Sequence, residues 1–442
     1  MRSIIFTATL FFLVIYNYKA QVNSTNNRIS MDISTNAQNS NIFNYDSCFA
    51  VGDNLGMSSV GLFQSWSAVE TSPLNYNMMI FNIANLYYPA VNMPVDLTIA
   101  PINTNVKEVP SDLTSTAFSS TVMISRFNRL LDSIKVHIPN VTLSSLVIGS
   151  EHDVFMGSNT TLWADYTTFY NAVMIHAKTL WPGLKVATEL TFDGIINHNT
   201  LAQTLNTNSD YIGVSYYPLN SNFTVKPIST IPVDFATLVN LYSSKPINFY
   251  QYGYPSSATC NSSDALQSQF ITQTFLSWDV YASNIRMIDF TWIHDLSAAA
   301  VNSLSVYYGI TNTAFLEYLR TIGLRTWNNN GTDKPALNEL RCQAKQRGFN
   351  NLPLNCPITS LNKNKNNALI SIYPNPATDI LNIDIEGGKF DGIIICDVLG
   401  NRVGQYSFSE QINISHLNNG VYSLKVFKNQ NEIFNAKFII SK

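Results

Sequence analysis

Two short apolar runs near the middle of the chain each end in one polar group. The run LVIGSEHD from Leu146 to Asp153 carries Glu151, and the run PINFYQYGYPSS from Pro246 to Ser257 carries Gln251. Two carboxylates facing each other across a cleft form the arrangement that breaks a glycosidic bond, one as acid and base and the other as nucleophile about 5 Å away. An acid facing an amide keeps the shape and the hydrogen bonds of that pair but loses one negative charge. Whether the chain cuts a sugar or only holds one therefore turns on Gln251.

Both groups need elements that bring them to one place. Short β-rich runs recur through the body of the chain: 59–66 (SVGLFQSW), 95–102 (VDLTIAPI), 144–151 (SSLVIGSE), 185–191 (KVATELT), 211–218 (YIGVSYYP), 247–254 (INFYQYGY) and 286–292 (RMIDFTW). An earlier run near 47–52 (SCFAVG) makes eight. Helical patterns fall between them, near 75–88, 120–137, 162–180, 233–243, 263–283 and 312–322. Strands alternating with helices imply parallel pairing, because each crossover needs a dozen or more residues. Eight such units predict an α/β fold, a (β/α)8 TIM barrel; a doubly wound open sheet is the alternative, weakened by the lack of a glycine-rich phosphate loop after the first strand.

A barrel gathers its active groups at the C-terminal ends of its strands. Those ends carry Trp66, Asn103, Glu151, Glu189, Tyr216, Tyr217, Gln251, Tyr254 and Trp292. Carboxylate, amide and aromatic groups on one rim suit a carbohydrate, whose faces stack on rings and whose hydroxyls meet polar groups. Glu189 is the best alternative carboxylate, ahead of Asp153, Asp193 and Asp295; an inverting mechanism would need it roughly 6.5–9.5 Å from Glu151. Rim hydrogen bonding or ion pairing is the simpler role for Glu189, and a loop or cap role for Asp295. His152 and His294 flank the site, but two histidines so far apart do not make a metal centre, and no metal or cofactor is expected.

At these residues the sequence resembles a known group. The segments SWSAVETSPLNYN, LVIGSEHDVF, VSYYPLN, FYQYGYPSSATCNSS and FTWIHDLS are similar to bacterial clan A glycoside hydrolase-like (β/α)8 barrels, over roughly residues 46–345. In that clan a strand 4 Asn-Glu pair supplies the general acid/base and a strand 7 Glu supplies the nucleophile of a retaining mechanism. The resemblance implies that Glu151 matches the acid/base, that Gln251 holds the nucleophile position, and that Trp292 forms the floor under the sugar. It further implies that Tyr216 or Tyr217 is the aromatic supporting the nucleophile. Ser150 stands where the group has Asn, and a neutral amide at 251 is a poor nucleophile. Trp66 and Tyr254 complete the expected sugar-binding set.

Composition bounds the rest. The chain has 442 residues, 45% hydrophobic, 12% aromatic and 12% charged, with a formal charge of −3. That is globular and more than one domain long, and it gives no electrostatic reason to expect nucleic acid as a partner. Residues 1–20 read as a secretory signal peptide, with Arg2, an apolar stretch from Ile4 to Ile15, and Ala20 before a start near Gln21. No transmembrane segment is expected in the mature chain. Residues 21–45 read as a polar linker, 46–350 as the barrel domain and 351–368 as a second linker. Among the five cysteines only Cys342 and Cys356 lie close in sequence.

From residue 369 the text changes to alternating apolar residues with Gly and Asn turns, which predicts six or seven antiparallel strands in a small β-sandwich. YPNPATDILNI, DVLGNRV and LNNGVYSLKV resemble the C-terminal sorting domain of the type IX secretion system. That resemblance implies a Bacteroidetes-type bacterium, the secretion machinery as a partner, and a protein secreted or attached to the outer-membrane surface after passing the periplasm. The Asn140 and Asn159 sequons then carry little meaning as glycosylation sites. Three roles stay open: a hydrolase with an unconventional second acid, a non-catalytic glycan-binding pseudoenzyme, and a surface adhesin using the barrel as scaffold.

Overall fold

The computed structural model describes residues 21–35, 42–353, 356, 370–385, 391–397, 401–428 and 431–442. The expected signal peptide and most of the second linker lie outside the described residues. The chain divides into two compact units, residues 1–354 and 355–442.

The first unit is a barrel of parallel strands: β1 Arg28–Met31, β2 Ser59–Ser65, β3 Val95–Asn103, β4 Leu143–Ser150, β5 in two pieces (Val186–Ala187 and Glu189–Thr191), β6 Ile212–Tyr216, β7 Ile247–Tyr252 and β8 Ile285–Phe290. The order runs from the first piece of β5 through β4, β3, β2, β1, β8, β7 and β6 to the second piece of β5, so the sheet closes on its own fifth strand. Helices α1 Ile42–Leu55, α2 Met79–Ala90, α3 Thr121–His137, α4 Thr160–Leu180, α5 Asn199–Leu205, α6 Ile231–Leu241, α7 Asp264–Val280 and α8 Pro335–Gln346 follow the strands in turn. The (β/α)8 expectation holds, and the doubly wound alternative does not.

Its first unit differs from expectation. The run SCFAVG lies inside α1, and the first strand is Arg28–Met31, within the stretch read as a linker. Arg28–Met31 has only two apolar residues, Ile29 and Met31, so it lacked a sustained apolar pattern. Tertiary pairing with β8 and β2 makes it a strand: Ser30 lies opposite both Asp289 and Ser59.

The strands alternate in a way unusual for a parallel sheet, whose strands normally read apolar on both faces. Val95, Leu97 and Ile99, like Leu146 and Ile148, join the main apolar core with the helices. The residues between them, Asp96, Thr98 and Ser145, are buried and polar. Val147, Ala187, Tyr250 and Met287 form a small separate cluster. Helices supply the rest of the core through single buried faces, as with Met123, Phe127, Leu130, Leu131 and Ile134 of α3, whose start is capped by the Ser120 hydroxyl.

The second unit has seven described strands: β9 Ile370–Tyr373, β10 Ile380–Ile385, β11 Gly392–Cys396, β12 Arg402–Ser407, β13 Gln411–Asn413, β14 Gly420–Lys428 and β15 Asn431–Ile440. They form two antiparallel sheets, β9-β10-β13 and β12-β11-β14-β15. Leu381, Ile383, Ile393, Ile395, Leu424, Val426 and Phe438 fill the core of this unit. Cys342 and Cys356 are the disulfide-bonded cysteines, and Cys48, Cys260 and Cys396 are buried thiols.

Candidate functional site

Glu151 leaves β4 through a tight backbone path. Gly149 has a φ of +84°, and a Cβ there would lie 2.2 Å from the Tyr166 hydroxyl, so only glycine fits. Glu151 itself has a φ of +48°, an uncommon conformation for a side-chain-bearing residue. Its carboxylate is held at both oxygens: the Ser215 hydroxyl donates to Oε1 at 2.6 Å and the Thr104 hydroxyl to Oε2 at 2.8 Å.

Gln251 is aimed by a break in the sheet. The register of β7 shifts between Phe249 and Tyr252 against β8, so Tyr250 and Gln251 together fill a place where strict alternation would give one residue. The amide is then fixed at both ends. The Tyr217 hydroxyl donates to Oε1 at 3.0 Å, and Nε2 donates to the Ser150 hydroxyl at 3.0 Å and to Glu189 Oε2 at 3.4 Å. Ser150 passes its own proton on, donating to Glu189 Oε2 at 2.9 Å. A single chain thus runs Tyr217, Gln251, Ser150, Glu189.

Glu189 closes that chain in the barrel interior. It is 1% exposed, and its Oε1 has no hydrogen-bond partner. Burial first, and the nearby Glu151 charge second, push its carboxyl up to about 8. At neutral pH it is a protonated acid.

Trp292 stands at the end of β8, joined to Thr291 by a cis peptide bond. Its indole N–H donates to Asp32 Oδ2 at 2.7 Å. Burial pushes Asp32 up to about 6, against the lowering effect of that hydrogen bond. Asp32 escaped sequence reading because it directly follows β1, the strand hidden in the polar stretch. Asn103 is steadied by the Tyr307 hydroxyl at 3.0 Å, and the helix Ala298–Tyr308 brings Leu304 and Tyr308 to the mouth.

These groups border a cavity of about 250 Å³. It runs from Trp292, Tyr308, Leu304 and Phe63 at the mouth, past Ser150, Gln251, Asn103 and Glu189, to Asp289, Asp96 and Tyr250 inside the barrel. At ~30 Å³ per water molecule that volume suits one small polar ligand. Glu151 lies beside this cavity and is not among its lining residues, being turned toward Thr104 and Ser215. Asp96 and Asp289 were also missed. The signal was present, since each is the lone carboxyl inside a largely apolar strand.

Residues 371–441 match the family described as Secretion system C-terminal sorting domain. The tail is a secretion-system sorting domain. No curated protein matches the chain in sequence. Among solved structures, a GH5_18 protein from Bifidobacterium longum subsp. infantis matches at 12% identity and a TM-score of 0.57, over 73% of this chain and 79% of that one. An exo-beta-1,4-mannosidase from Opitutaceae bacterium strain TAV5 matches at 13% and 0.56, over 75% and 61%. A variant GH5_18 protein from Bifidobacterium longum subsp. longum in complex with Manb1-4GlcNAc matches at 12% and 0.57, over 72% and 78%. At these identities the likeness is one of fold: the barrel that precedes the sorting domain shares the fold of these structures.

Within that barrel, three of the expected sugar-binding aromatics are core residues. Trp66 is fully buried, donates its indole N–H to Glu70 at 2.8 Å and packs edge-on against Phe127. Tyr216 ends β6 on the helix side, stacks on Tyr252 and donates to Asp234 at 2.7 Å. Tyr254 stacks on Phe270 and donates to the Lys226 carbonyl at 3.2 Å. None of the three lines the cavity. Of the two candidate tyrosines, Tyr217 is the one that meets Gln251. Tyr216→Phe should therefore cost about 1.5 kcal/mol of stability in thermal or urea unfolding, the worth of a hydrogen bond to a charged group, and leave ligand affinity unchanged.

The remaining candidates are structural. Asp153 accepts from the Thr191 backbone N–H at 2.8 Å and hydroxyl at 2.7 Å, tying β5 to the segment after β4; burial pushes it up to about 7. Asp193 pairs with Lys226 at 3.2 Å, and Asp295 with the buried Lys334 at 2.6 Å. His152 is wholly buried against Tyr166, and burial holds it down to about 3, so it stays neutral. His294 meets the Ser34 carbonyl at 3.0 Å and Arg325 at 3.2 Å. Among the described residues no group of three or more His, Cys, Asp or Glu is placed to hold a metal ion.

Proposed function

We propose that this protein is a secreted or surface-held glycan-binding protein, built on a glycosidase barrel in which retaining hydrolysis is disabled. The observation that carries this reading is the fixed amide of Gln251, bonded at both ends, at the position to which the sequence resemblance assigns the attacking carboxylate. An amide in that position offers no anionic oxygen to the anomeric carbon. Two further features support it. Glu189, the nearest substitute, is buried and protonated at neutral pH, and so supplies neither a nucleophile nor a base. Glu151 is engaged by two hydroxyls beside the cavity rather than in its lining. Binding needs none of these catalytic functions: Trp292 and Phe63 offer ring faces at the mouth, and Asn103, Ser150 and Gln251 offer polar contacts.

The test is a panel of oligosaccharides measured by calorimetry, with reducing-sugar release assayed on the same samples. Wild type should bind at least one glycan without releasing sugar. Trp292→Ala should weaken that binding about tenfold or more, the loss of a stacking surface worth roughly 1.4 kcal/mol. Sugar release by wild type that Glu151→Gln abolishes would make the protein an enzyme. Absence of binding to any glycan, with no effect of Trp292→Ala, would leave the barrel as an adhesin scaffold.

A further inference from the structure

The cavity is unbalanced in charge. Its lining includes Asp32, Asp96, Glu189 and Asp289, and no Lys, Arg or His. Arg28 pairs with one of them: its guanidinium meets Asp96 Oδ1 at 3.2 Å. That oxygen also accepts from the Ser145 hydroxyl at 2.6 Å.

The second observation is independent of the count. Each of the three deep carboxyls leaves one oxygen without a partner: Oδ2 of Asp96, Oε1 of Glu189 and Oδ1 of Asp289. These residues are 2%, 1% and 2% exposed, so bulk water does not serve them. They come from β3, β5 and β8, three different parts of the barrel wall, and border the same cavity. Buried polar oxygens without partners are costly, and a set of them on residues around one space calls for a polar ligand.

Three kinds of donor could fill it. A divalent metal needs several oxygens within about 2.0–2.6 Å of one point, and among the described residues no such grouping exists. Sugar hydroxyls supply donors but bring no charge, so burial would keep Glu189 and Asp289 protonated around them. A primary ammonium supplies three donors and a positive charge, which favours the ionised form of those carboxyls, draws off their protons and pairs with them. We propose that the cleft selects a glycan with a free amino group, a de-N-acetylated hexosamine unit, whose ammonium sits among Asp289, Glu189 and Asp96 with the ring against Trp292. This rests on the glycan-binding reading and names the class of sugar.

Calorimetry on the mature protein separates the two. The probes are a short β-1,4 glucosamine oligomer, the same oligomer fully N-acetylated, a neutral manno-oligosaccharide and an oligouronate. The glucosamine oligomer should bind at least about tenfold more tightly than its N-acetylated counterpart, a difference of roughly 1.4 kcal/mol, and the oligouronate should not bind. Asp289→Asn and Glu189→Gln should each reduce that preference several-fold, because each replaces a carboxyl bordering the cavity with an amide that cannot ionise. If Asp289→Asn shows no cooperative melting, Glu189→Gln decides alone. Equal binding of the free and N-acetylated oligomers, or a preference that survives folded variants, overturns the amino-sugar assignment while the glycan-binding reading stands. Failure to bind any of the four, where the wider panel also binds nothing, overturns both.

Discussion

Gln251→Glu should turn the protein into a slow glycosidase for activated substrates. The substitution places a carboxylate where the amide oxygen already accepts the Tyr217 hydroxyl at 3.0 Å, so that oxygen keeps its donor. The other side changes more. Nε2 now donates to Ser150 and Glu189, and a carboxylate there needs protons instead. Glu189 has one to give at neutral pH, since burial pushes it up to about 8, and the Ser150 hydroxyl can rotate to donate. The two acids would then share a proton and carry one negative charge between them, as closely placed carboxyls do.

Nucleophilic attack is thereby restored, while protonation of the leaving group is not. Glu151 remains bonded to Thr104 and Ser215 beside the cavity. The variant should therefore hydrolyse dinitrophenyl β-glycosides, which leave without a proton, at least about a hundredfold faster than wild type, the low end of what one positioned catalytic group contributes. It should remain slow on unactivated oligosaccharides. Mass spectrometry of the reaction should reveal a covalent glycosyl-protein intermediate with the variant and none with wild type. No gain on the activated substrates would mean that position 251 does not face an anomeric carbon, and the nucleophile assignment would fall.

The place of Gln251 near the end of β7 was legible because strands 2 to 8 of the barrel alternate with helices along the sequence. What escaped reading follows from two physical features. A four-residue strand such as Arg28–Met31 has too few residues to declare a period, and its pairing comes from β8, more than 250 residues away. Asp32 was lost with it. Side-chain direction at strand ends was the second: Tyr216 and Tyr217 are neighbours, and strand alternation sends one into the helix layer and the other to Gln251. The register shift in β7 turns Gln251 inward beside Tyr250, which no count by twos would place there. The interior carboxyls were in plain view, but single polar residues in apolar runs read as interruptions until the closed barrel brings Asp96, Glu189 and Asp289 around one space.

Those carboxyls should make the barrel less stable as pH rises through neutrality. Glu189 ionises near 4.5 when unfolded and near 8 when folded. Between those values the folded chain holds a proton that the unfolded chain has released, so unfolding becomes more favourable as pH increases, by up to about 1.4 kcal/mol per unit for each such group. Asp289, raised well above the carboxylate range by burial, acts in the same direction, and Asp153, raised to about 7, adds to it up to that pH. His152 opposes them below its unfolded value of 6.5, because burial keeps it neutral in the fold down to about 3 and stability is lost as pH falls through that interval. Above pH 6.5 the histidine no longer contributes and the carboxyls govern. Melting temperature should therefore fall steadily from pH 6.5 to 8. In Glu189→Gln the amide oxygen takes the place that accepts from Ser150, and its NH2 takes the place of the unpartnered Oε1. The slope should become shallower by about 1 kcal/mol per pH unit, and the variant should overtake wild type at the alkaline end. Parallel profiles for the two proteins would mean that Glu189 is ionised in the fold, and with that the case against it as a substitute nucleophile would fail.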